Sequence, residues 1–270
     1  MKHYAAACLI VALALAGLRC SEQGYANERR ADYKGMVLIP AGTFIMGKAD
    51  SRLDAAPHRV EVSAFYMDIY EVTNAEYKKF IDATGHPAPF LDPVKYPLAE
   101  KYNWHNNLFP AGSDSLPVVL VSWHDAQAYA RWCGKKLPTE AQWEMAARSL
   151  SDLEYPWGDQ WDSTRVNTRQ NGRLAAAAVG AFSTGATSQG IHDMIGNVWE
   201  WCADWYGKDY YTGSTLKDPQ GPAAGATRVV RGGSWDTFKP ERLKAYSRES
   251  FPPSSRRHDL GFRCVLEKLD

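Results

Sequence analysis

Alternation of apolar and small residues marks the amino-terminal third of the chain. Residues 35–47 read GMVLIPAGTFIMG, and the alternation around Pro40 and Gly42 predicts two short strands with a turn between them. Residues 58–72, HRVEVSAFYMDIYEV, predict a second pair of strands. We therefore expect four short strands before the first helix.

The first predicted helix spans residues 73–85. Thr73 precedes Glu76 by three positions, which is the pattern of a capping box. An apolar stripe that includes Tyr77 follows, and Gly85 ends it.

Two further helices are predicted in the middle of the chain. The β-branched run PVVLVSW at residues 117–123 predicts a buried strand, and HDAQAYARWCG at 124–134 predicts a helix that stops at its glycine. Residues 137–149 predict a third helix, because Thr139 and Gln142 repeat the capping pattern.

Irregular stretches separate these elements. Residues 86–116 have no sustained period and predict a long ordered surface loop, and beyond Ser151 the chain is punctuated by Gly, Asn and Asp. No internal repeat, low-complexity tract or linker is visible after the amino-terminal segment. We predict one domain over residues 33–268 with little regular secondary structure.

The charge balance argues against a nucleic-acid partner. The 270 residues contain 31 Lys plus Arg and 31 Asp plus Glu, so no basic excess is available to neutralise phosphates. Ten tryptophans, 21 glycines and 15 prolines predict an aromatic-rich fold with many turns. Such loops are where binding residues concentrate.

The first residues predict export. Lys2 and His3 precede the apolar run YAAACLIVALALAGL, which has the length of a signal peptide and is short for a membrane span. We assign residues 1–26 to a signal peptide, with a lipoprotein signal ending at Cys20, cleavage near Ala16 or Ala26, and a retained anchor as alternatives. The mature protein is therefore expected in the periplasm or associated with the cell envelope, and Cys20 is a candidate lipid anchor.

Three cysteines remain after such processing: Cys133, Cys202 and Cys264. An odd number of thiols in an oxidising compartment favours one disulfide and one free thiol. No CxxC, HExxH or Cys/His cluster is present. Isolated histidines could each bind a metal, but structural roles are favoured for them; they are His58, His124, His192 and His258.

Seven blocks of sequence, taken in order, resemble the sulfatase-modifying factor family, which has the fold of formylglycine-generating enzyme. They are PAGTFIMG, HRVEVSAFYMDIYEVTNAEYKKF, PVVLVSWHDAQAYARWCGKKLPTEAQWEMAAR, YPWGD, DMIGNVWEWCADWY, RVVRGGSW and LGFRC. The resemblance covers nearly the whole mature chain. It implies a single α+β domain, related in topology to C-type lectin domains, with a low content of regular secondary structure.

The resemblance also implies where a copper site would lie. Family members that oxidise a sulfatase cysteine to formylglycine carry two cysteines after the Gly-Gly-Ser-aromatic block, and these thiolates bind copper. The matching positions here hold Thr237 and Arg242. Neither side chain can supply a thiolate, and the charge of Arg242 would repel a cation. We therefore do not expect copper.

The same resemblance implies calcium. In the family, oxygens at the places of Asp193, Gly196, Val198 and Glu200 surround one calcium ion, and hard oxygens from a tight loop suit it. A second site matches Asn167 and Thr168, although its other ligands fall where this sequence is shortened. The alternative for Asp193 and Glu200 is loop capping and a buried salt bridge with an arginine such as Arg231 or Arg263.

Two more inferences rest on the family. Its groove lies near the Gly-Gly-Ser block, so the groove candidates are Trp199, Ser234, Trp235, Thr237 and Arg242. Its GFRC cysteine is tied to the helix holding AYARWC, which favours a Cys133–Cys264 disulfide with Cys202 as the second choice. GGSW lacks the G-x-S-x-G pattern and no base can be placed beside its serine, so we predict no catalytic residue.

Two functions remain open from the sequence. The first is an accessory or ligand-binding module of the cell envelope that binds a protein, peptide or small molecule without copper-dependent formylglycine generation. The second is an oxidoreductase of the formylglycine-generating type that acts on a protein or small-molecule thiol through a rearranged metal site. Clustered His or thiol groups near Ser234 would favour the second, whereas a groove lined only by Trp, Arg and Asp would favour the first.

Overall fold

Twelve regular elements build the fold. The computed structural model describes residues 33–49, 56–149 and 151–268, so the predicted signal segment and Cys20 lie outside the described residues. In chain order the elements are β1 (Met36–Ile39), β2 (Gly42–Met46), β3 (His58–Val62), β4 (Phe65–Asp68), α1 (Asn74–Thr84), α2 (Trp123–Trp132), α3 (Glu140–Arg148), β5 (Trp199–Trp205), β6 (Arg228–Arg231), β7 (Arg248–Phe251), β8 (Leu260–Gly261) and β9 (Val265–Glu267). Six short 3₁₀ helices lie in the connecting segments, at Pro97–Tyr102, Ser163–Arg165, Arg169–Asn171, Ser183–Gly185, Tyr210–Thr212 and Pro240–Leu243.

The four strands predicted before the first helix are present, but they belong to two sheets. β1 pairs with β4, which also pairs with β9 from the end of the chain. β2 and β3 form a separate two-stranded antiparallel sheet. Strands that are adjacent in sequence are therefore split between sheets, and the chain end closes the first one.

The third sheet has four strands in the order β7-β6-β5-β8. Its longest strand, β5, pairs antiparallel with β6 and parallel with β8, and its register with β6 shifts between Trp201 and Trp205. The sequence did not predict β5, because Gly and Asn just before it resemble a loop and both faces of the strand are largely buried. Strands and helices are mixed along the chain, so the fold belongs to the predicted α+β class.

The helix caps follow the predicted chemistry. Thr73 and Glu76 exchange the two hydrogen bonds of a capping box, and Gly85 ends α1 at φ 69°. Thr139 and Gln142 do the same for α3. The second helix begins earlier than predicted, because Ser122 caps it in another capping box with Asp125.

The buried run at Val118–Val121 is not a strand. All four side chains are buried, but the backbone joins no sheet, because Leu120 adopts a positive φ of 60° that breaks the extended conformation. Val118 N donates to the Val72 carbonyl at 2.8 Å, and Leu120 N donates to the Arg257 carbonyl at 3.0 Å. Single hydrogen bonds to separate segments thus replace the predicted ladder.

Charged side chains are buried where α3 meets the four-stranded sheet. Arg231 of β6 donates to Glu140 at 3.0 Å and to Glu144 at 2.7 Å. Arg248 of β7 donates to both Glu140 oxygens, at 2.9 and 2.8 Å, and Arg148 donates to Glu144 at 2.7 Å. All five side chains are at most 3% exposed, so these charges depend on one another for compensation.

A second buried ion pair joins β5 to the residues before β9. The Arg263 guanidinium donates Nε to Glu200 Oε2 at 2.8 Å and a terminal nitrogen to Oε1 at 2.7 Å. The Trp143 indole of α3 donates to Glu200 Oε2 at 2.8 Å, and Arg263 also binds the carbonyl of His192 at 2.9 Å. One ion pair therefore connects a strand, a helix and a loop.

The helices of the described ranges are short and amphipathic. None of them is both long enough and apolar enough to cross a membrane.

We expect Arg263→Met to destabilise the fold by about 3–5 kcal/mol, because it leaves the buried Glu200 carboxylate without its cation. The exposed pair of Lys136 and Glu267 provides the control, and Lys136→Met should cost at most about 1 kcal/mol. Urea denaturation of the two variants measures both free energies of unfolding.

The double variant Arg263→Met with Glu200→Gln should recover part of the loss, because it removes the unpaired charge as well as its partner. An Arg263→Met variant that is no less stable than Lys136→Met would contradict this account.

Candidate functional site

A double-glycine turn after β6 forms the base of the candidate site. Gly232 and Gly233 have φ of 90° and 77°, a region that L side chains rarely adopt. A Cβ atom on Gly232 would lie 2.9 Å from the Met194 carbonyl oxygen, and one on Gly233 would lie 2.5 Å from Leu243. The turn therefore requires glycine at both positions, and it presents Ser234 at the surface of the core.

The segment after this turn lines a pocket of about 420 Å³. Its walls come from the start of β5, the segment 234–242, strand β7 and the residues just before β8. The lining residues are Trp199, Ser234, Asp236, Thr237, Phe238, Lys239, Arg242, Glu249, Phe251, Arg257 and Asp259. A larger depression of about 1060 Å³ lies beside α2 and β9, but none of the predicted site residues lines it.

The structure brings the five groove candidates together. Trp199, Ser234, Thr237 and Arg242 line the pocket. Trp235 is buried at 3% exposure, and its backbone amide donates to the Asn197 carbonyl at 2.8 Å. Trp235 therefore supports the pocket and does not line it.

The Ser234 hydroxyl is held in a network of hydrogen bonds. It donates to Asp259 Oδ2 at 3.0 Å and accepts from the backbone amide of Asp236 at 3.2 Å. A catalytic serine needs a base that removes its proton, and Arg257 binds both oxygens of Asp259, which weakens that carboxylate as a base. The hydroxyl is thus placed to orient the turn and Asp259.

Thr237 and Arg242 differ in their surroundings. The Thr237 hydroxyl accepts from the Ser234 amide at 3.0 Å and is buried. The Arg242 side chain is 56% exposed and pairs with Glu249 at 3.0 Å on the rim of the pocket. Thr237 therefore closes the turn, and Arg242 contributes a positive charge to the rim of the pocket.

The pocket carries balanced charge and an aromatic face. Its lining includes three carboxylates, from Asp236, Glu249 and Asp259, and three cations, from Lys239, Arg242 and Arg257. Trp199, Phe238 and Phe251 add aromatic surface, and Phe238 is 67% exposed. Such a lining suits a ligand that combines polar groups of both signs with an apolar part.

The calcium candidates near β5 make contacts of their own. Both Glu200 oxygens are bound by Arg263 and Trp143, which is the salt-bridge arrangement considered as the alternative. Asp193 accepts from the Gly180 amide at 2.6 Å. Gly196 donates its amide to the Gly232 carbonyl at 2.9 Å, and Val198 is fully buried.

A further carboxylate, Glu71, lies in the same region and was not predicted. Its oxygens accept from Asn197 at 3.1 and 3.3 Å. Burial, followed by the charge of Asp193, raises the pKa of Glu71 well above its usual value, and burial likewise raises the pKa of Asp193. Glu71, Asp193 and Glu200 thus share one buried cation, Arg263.

The second pair of calcium candidates has unused oxygens. Asn167 donates its side-chain amide to the Ala175 carbonyl and to Asn197 Oδ1, both at 3.0 Å. Asn167 Oδ1 and Thr168 Oγ1 are buried and have no hydrogen-bond partner among the described residues. Buried polar oxygens of this kind usually bind water or an ion.

The three arginines that follow β6 and β7 are paired in different ways. Arg248 lies in β7, and Arg256 and Arg257 follow that strand in the chain. Only Arg257 pairs with Asp259, at 2.9 Å, whereas Arg256 pairs with Asp125 at 2.6 Å. Arg248 instead joins the buried network at α3, so it is structural.

His258 is the one histidine of the described ranges that joins a group able to hold a metal ion. Ligand atoms of Asp236, His258 and Asp259 lie within 4.8 Å of one another beside Ser234. From the sequence we interpreted His258 as an isolated histidine, because Asp236 lies 22 positions before it. The sequence signal for this group was that His258 and Asp259 are adjacent in the chain.

With this geometry in place, comparison with known proteins decides the family. The model of the sulfatase-modifying factor enzyme 1-like domain matches residues 22–268. The chain belongs to the sulfatase-modifying factor family.

Relatives of this sulfatase-modifying factor protein include active and inactive members by name. The formylglycine-generating enzyme of Streptomyces coelicolor is 37% identical over 295 residues, which cover 91% of this chain and 93% of that enzyme. The inactive Cα-formylglycine-generating enzyme 2 of Mus musculus is 34% identical over 279 residues, 85% of each chain. The structure of PvdO from Pseudomonas aeruginosa is 26% identical with a TM-score of 0.72, covering 86% of this chain and 94% of PvdO.

The cysteines of this family member that lie in the described ranges are free thiols in the structure, namely Cys133, Cys202 and Cys264. Cys133 and Cys264 interact: a hydrogen bond from the Cys264 thiol, ahead of opposing burial, lowers the pKa of Cys133. Burial, followed by this shared hydrogen bond, raises the pKa of Cys264. Cys202 is buried in β5, where burial raises its pKa well above the usual value. The Cys133–Cys264 disulfide stays a prediction.

Proposed function

We propose that this protein is an exported ligand-binding or accessory member of the sulfatase-modifying factor family that does not generate formylglycine through copper. The observation that carries the proposal is the pair of Thr237 and Arg242 in the pocket. Thr237 offers a neutral hydroxyl that already accepts a hydrogen bond, and Arg242 offers a cation. Copper(I) requires soft thiolates, so these residues do not fit it.

The lining of the pocket supports a binding role. Three carboxylates and three cations surround exposed aromatic surface, and no cysteine lines the pocket in the described part of the chain. The inactive mouse relative is a precedent for a family member named as lacking this activity. A peptide with mixed charges and an apolar side chain has the chemistry that this lining recognises.

An oxidoreductase with a rearranged metal site is the second candidate function. One observation favours it, namely the carboxylate and imidazole groups of Asp236, His258 and Asp259 at the edge of the pocket. The formylglycine-generating relatives supply the class of reaction, the oxidation of a thiol. Turnover of a peptide with copper would support an oxidoreductase, and absence of turnover would exclude only an oxidoreductase that uses copper.

We also propose a structural calcium ion near β5, where buried acidic groups exceed buried cations. Glu71 and Asp193 have raised pKa values because burial disfavours their charge, and calcium would compensate that charge. Asn167 Oδ1, which has no partner among the described residues, is a suitable hard ligand for the second calcium site that the family implies at Asn167 and Thr168. Glu200 fits least, because Arg263 and Trp143 bind both of its oxygens.

For copper chemistry we expect no turnover. The full chain, reconstituted with copper(I) under oxygen, should leave a cysteine-containing sulfatase-type peptide unchanged in mass. Only the double variant Thr237→Cys with Arg242→Cys should bind copper(I) in competition with a colorimetric chelator, because each single variant supplies one thiolate. Conversion of the peptide to an aldehyde by the wild-type protein would overturn the proposal.

The same peptide, labelled with a fluorophore, measures binding by fluorescence anisotropy. Phe238→Ala should weaken its affinity about tenfold, which corresponds to about 1.4 kcal/mol for a well-placed aromatic contact. Leu174→Ala is the control, because Leu174 is 60% exposed and does not line the pocket. If both variants change the peptide affinity equally, the pocket is not the binding site of this peptide.

Export and oxidation are tested together by the intact mass of protein recovered from its native host. We expect a chain that begins after Ala16 or Ala26, or at a lipidated Cys20, and that contains one disulfide between Cys133 and Cys264. Alkylation before and after reduction identifies the pair, with Cys202 modified only after unfolding. Retention of Met1 in a soluble cytosolic pool would contradict the predicted export. A bridge to Cys202 would contradict the predicted Cys133–Cys264 disulfide.

Calcium removal should lower the melting temperature. At a free calcium concentration about 100-fold above Kd, bound ion adds about 2.7 kcal/mol, so EGTA should lower the melting temperature by about 5–10 °C. Calcium should restore the lost stability and magnesium should not. Asp193→Asn should reduce the shift, whereas Asp114→Asn, an exposed control, should leave it unchanged. If EGTA has no effect, capping and the Arg263 salt bridge account for these residues alone.

A further inference from the structure

A buried imidazole nitrogen without a partner lies behind the wall of the pocket. The His258 ring packs against Trp235, with ring centroids 5.4 Å apart, and stacks on Tyr102 at 6.4 Å. Its Nε2 atom is buried and has no hydrogen-bond partner among the described residues. The nearest acidic oxygen, Asp236 Oδ2, is 3.9 Å away, beyond hydrogen-bonding distance.

Two carboxylates share this space with the imidazole. One atom each from Asp236, His258 and Asp259 lies within 4.8 Å of the others, and no other trio of His, Cys, Asp or Glu within the described ranges meets that condition. Asp236 and Asp259 also line the pocket, so the space between the three groups opens towards it.

We propose that Asp236, His258 and Asp259 bind a divalent first-row transition metal ion, with Zn²⁺ as the reference ion. One imidazole nitrogen and two carboxylate oxygens form a ligand set that Zn²⁺ accepts at about 2.0–2.2 Å, and it leaves a fourth position open. That position faces the pocket, where water or an anionic group of the bound ligand would complete the coordination. The site is chemically distinct from a copper–thiolate site, because it contains no sulfur.

The distances allow one ion after modest closure. Tetrahedral coordination with bonds of about 2.1 Å places ligand atoms about 3.4 Å apart. The 4.8 Å limit of this group exceeds that value by about 1.4 Å, and the separation of 3.9 Å between Asp236 and His258 exceeds it by about 0.5 Å. Asp236 is the most exposed of the three side chains, at 27%, so the closure would come mainly from rotation of Asp236.

The surrounding charges decide the strength of the site. Arg257 binds both Asp259 oxygens, at 2.9 and 3.2 Å, and Arg169 lies 3.5 Å from Asp236. These cations compete with the metal, so the site is weaker than a closed structural zinc site and exchanges its ion more readily.

The test is a metal titration of the full chain after treatment with a chelator. Zn²⁺ binding is followed by calorimetry, and Co²⁺ serves as a spectroscopic substitute whose visible absorption reports nitrogen and oxygen ligands. We expect one Zn²⁺ ion per chain that depends on His258. His258→Ala and Asp236→Asn should each weaken binding at least about 100-fold, more than the loss of an outer-shell contact would.

Two exposed residues provide matched controls. His124→Ala and Asp114→Asn remove the same chemical groups from positions outside the pocket, and they should leave Zn²⁺ affinity unchanged. Circular dichroism melting verifies that each variant is folded. If His258→Ala does not fold, the half-buried Asp236 still provides the test through Asp236→Asn.

Absence of Zn²⁺ and Co²⁺ binding by the wild-type chain would overturn the inference. So would binding that survives in both variants, or a Co²⁺ complex with the near-ultraviolet charge-transfer band of thiolate ligands, which would assign the ion to the cysteines. The inference goes beyond the proposed function, and the two can fail separately. Peptide capture by metal-free protein supports the pocket without the ion, whereas His258-dependent binding of Zn²⁺ without peptide capture supports the ion alone.

Discussion

The pairing of Arg263 with Glu200 is the interaction on which the centre of this structure depends. It joins β5 to the chain end, and through Trp143 and the His192 carbonyl it fixes α3 and the loop before β5. A buried ion pair adds little net stability compared with apolar packing of the same volume, but loss of one partner costs several kcal/mol. The main effect of the ion pair is therefore to specify one arrangement of the chain, in which few strands and helices are present to impose order.

The network of Glu140, Glu144 and Arg231 acts beside this pair. Arg231 is the last residue of β6, and the double-glycine turn follows it directly. Because Arg231 is bound to α3 through two carboxylates, the position at which the pocket segment leaves the sheet is set by buried charges. The pocket residues after the turn can then vary while these buried charges hold the turn in place.

The pocket of this chain is lined by hard polar groups and aromatic rings. The family relatives include enzymes that generate formylglycine and one that is named as inactive. In this chain the segment after the turn presents hydroxyl, carboxylate and guanidinium groups, and the imidazole of His258 lies behind it. Such groups suit polar ligands and hard or intermediate cations, which is the chemical basis of the binding role that we propose.

Hydrogen bonds between residues that are close in the sequence could be predicted from the sequence. The capping boxes at Thr73 and Thr139 were predicted because each joins residues three positions apart, and α1 and α3 have them. The strand predicted at residues 117–123 was wrong, because an apolar run records burial and not the backbone conformation of Leu120. Conversely, β5 was missed because its two buried faces remove the alternation that marks a strand.

The sequence by itself determined the family, the α+β class and the chemical identity of the pocket residues, including Thr237 and Arg242. Ordered blocks and residue types are properties of the chain, so they can be read without coordinates. Only the tertiary structure decided that Glu200 pairs with Arg263, which lies 63 positions away, and that His258 lies beside Asp236. The physical reason is that these contacts form when strands from distant parts of the chain pair, and no local pattern records that pairing.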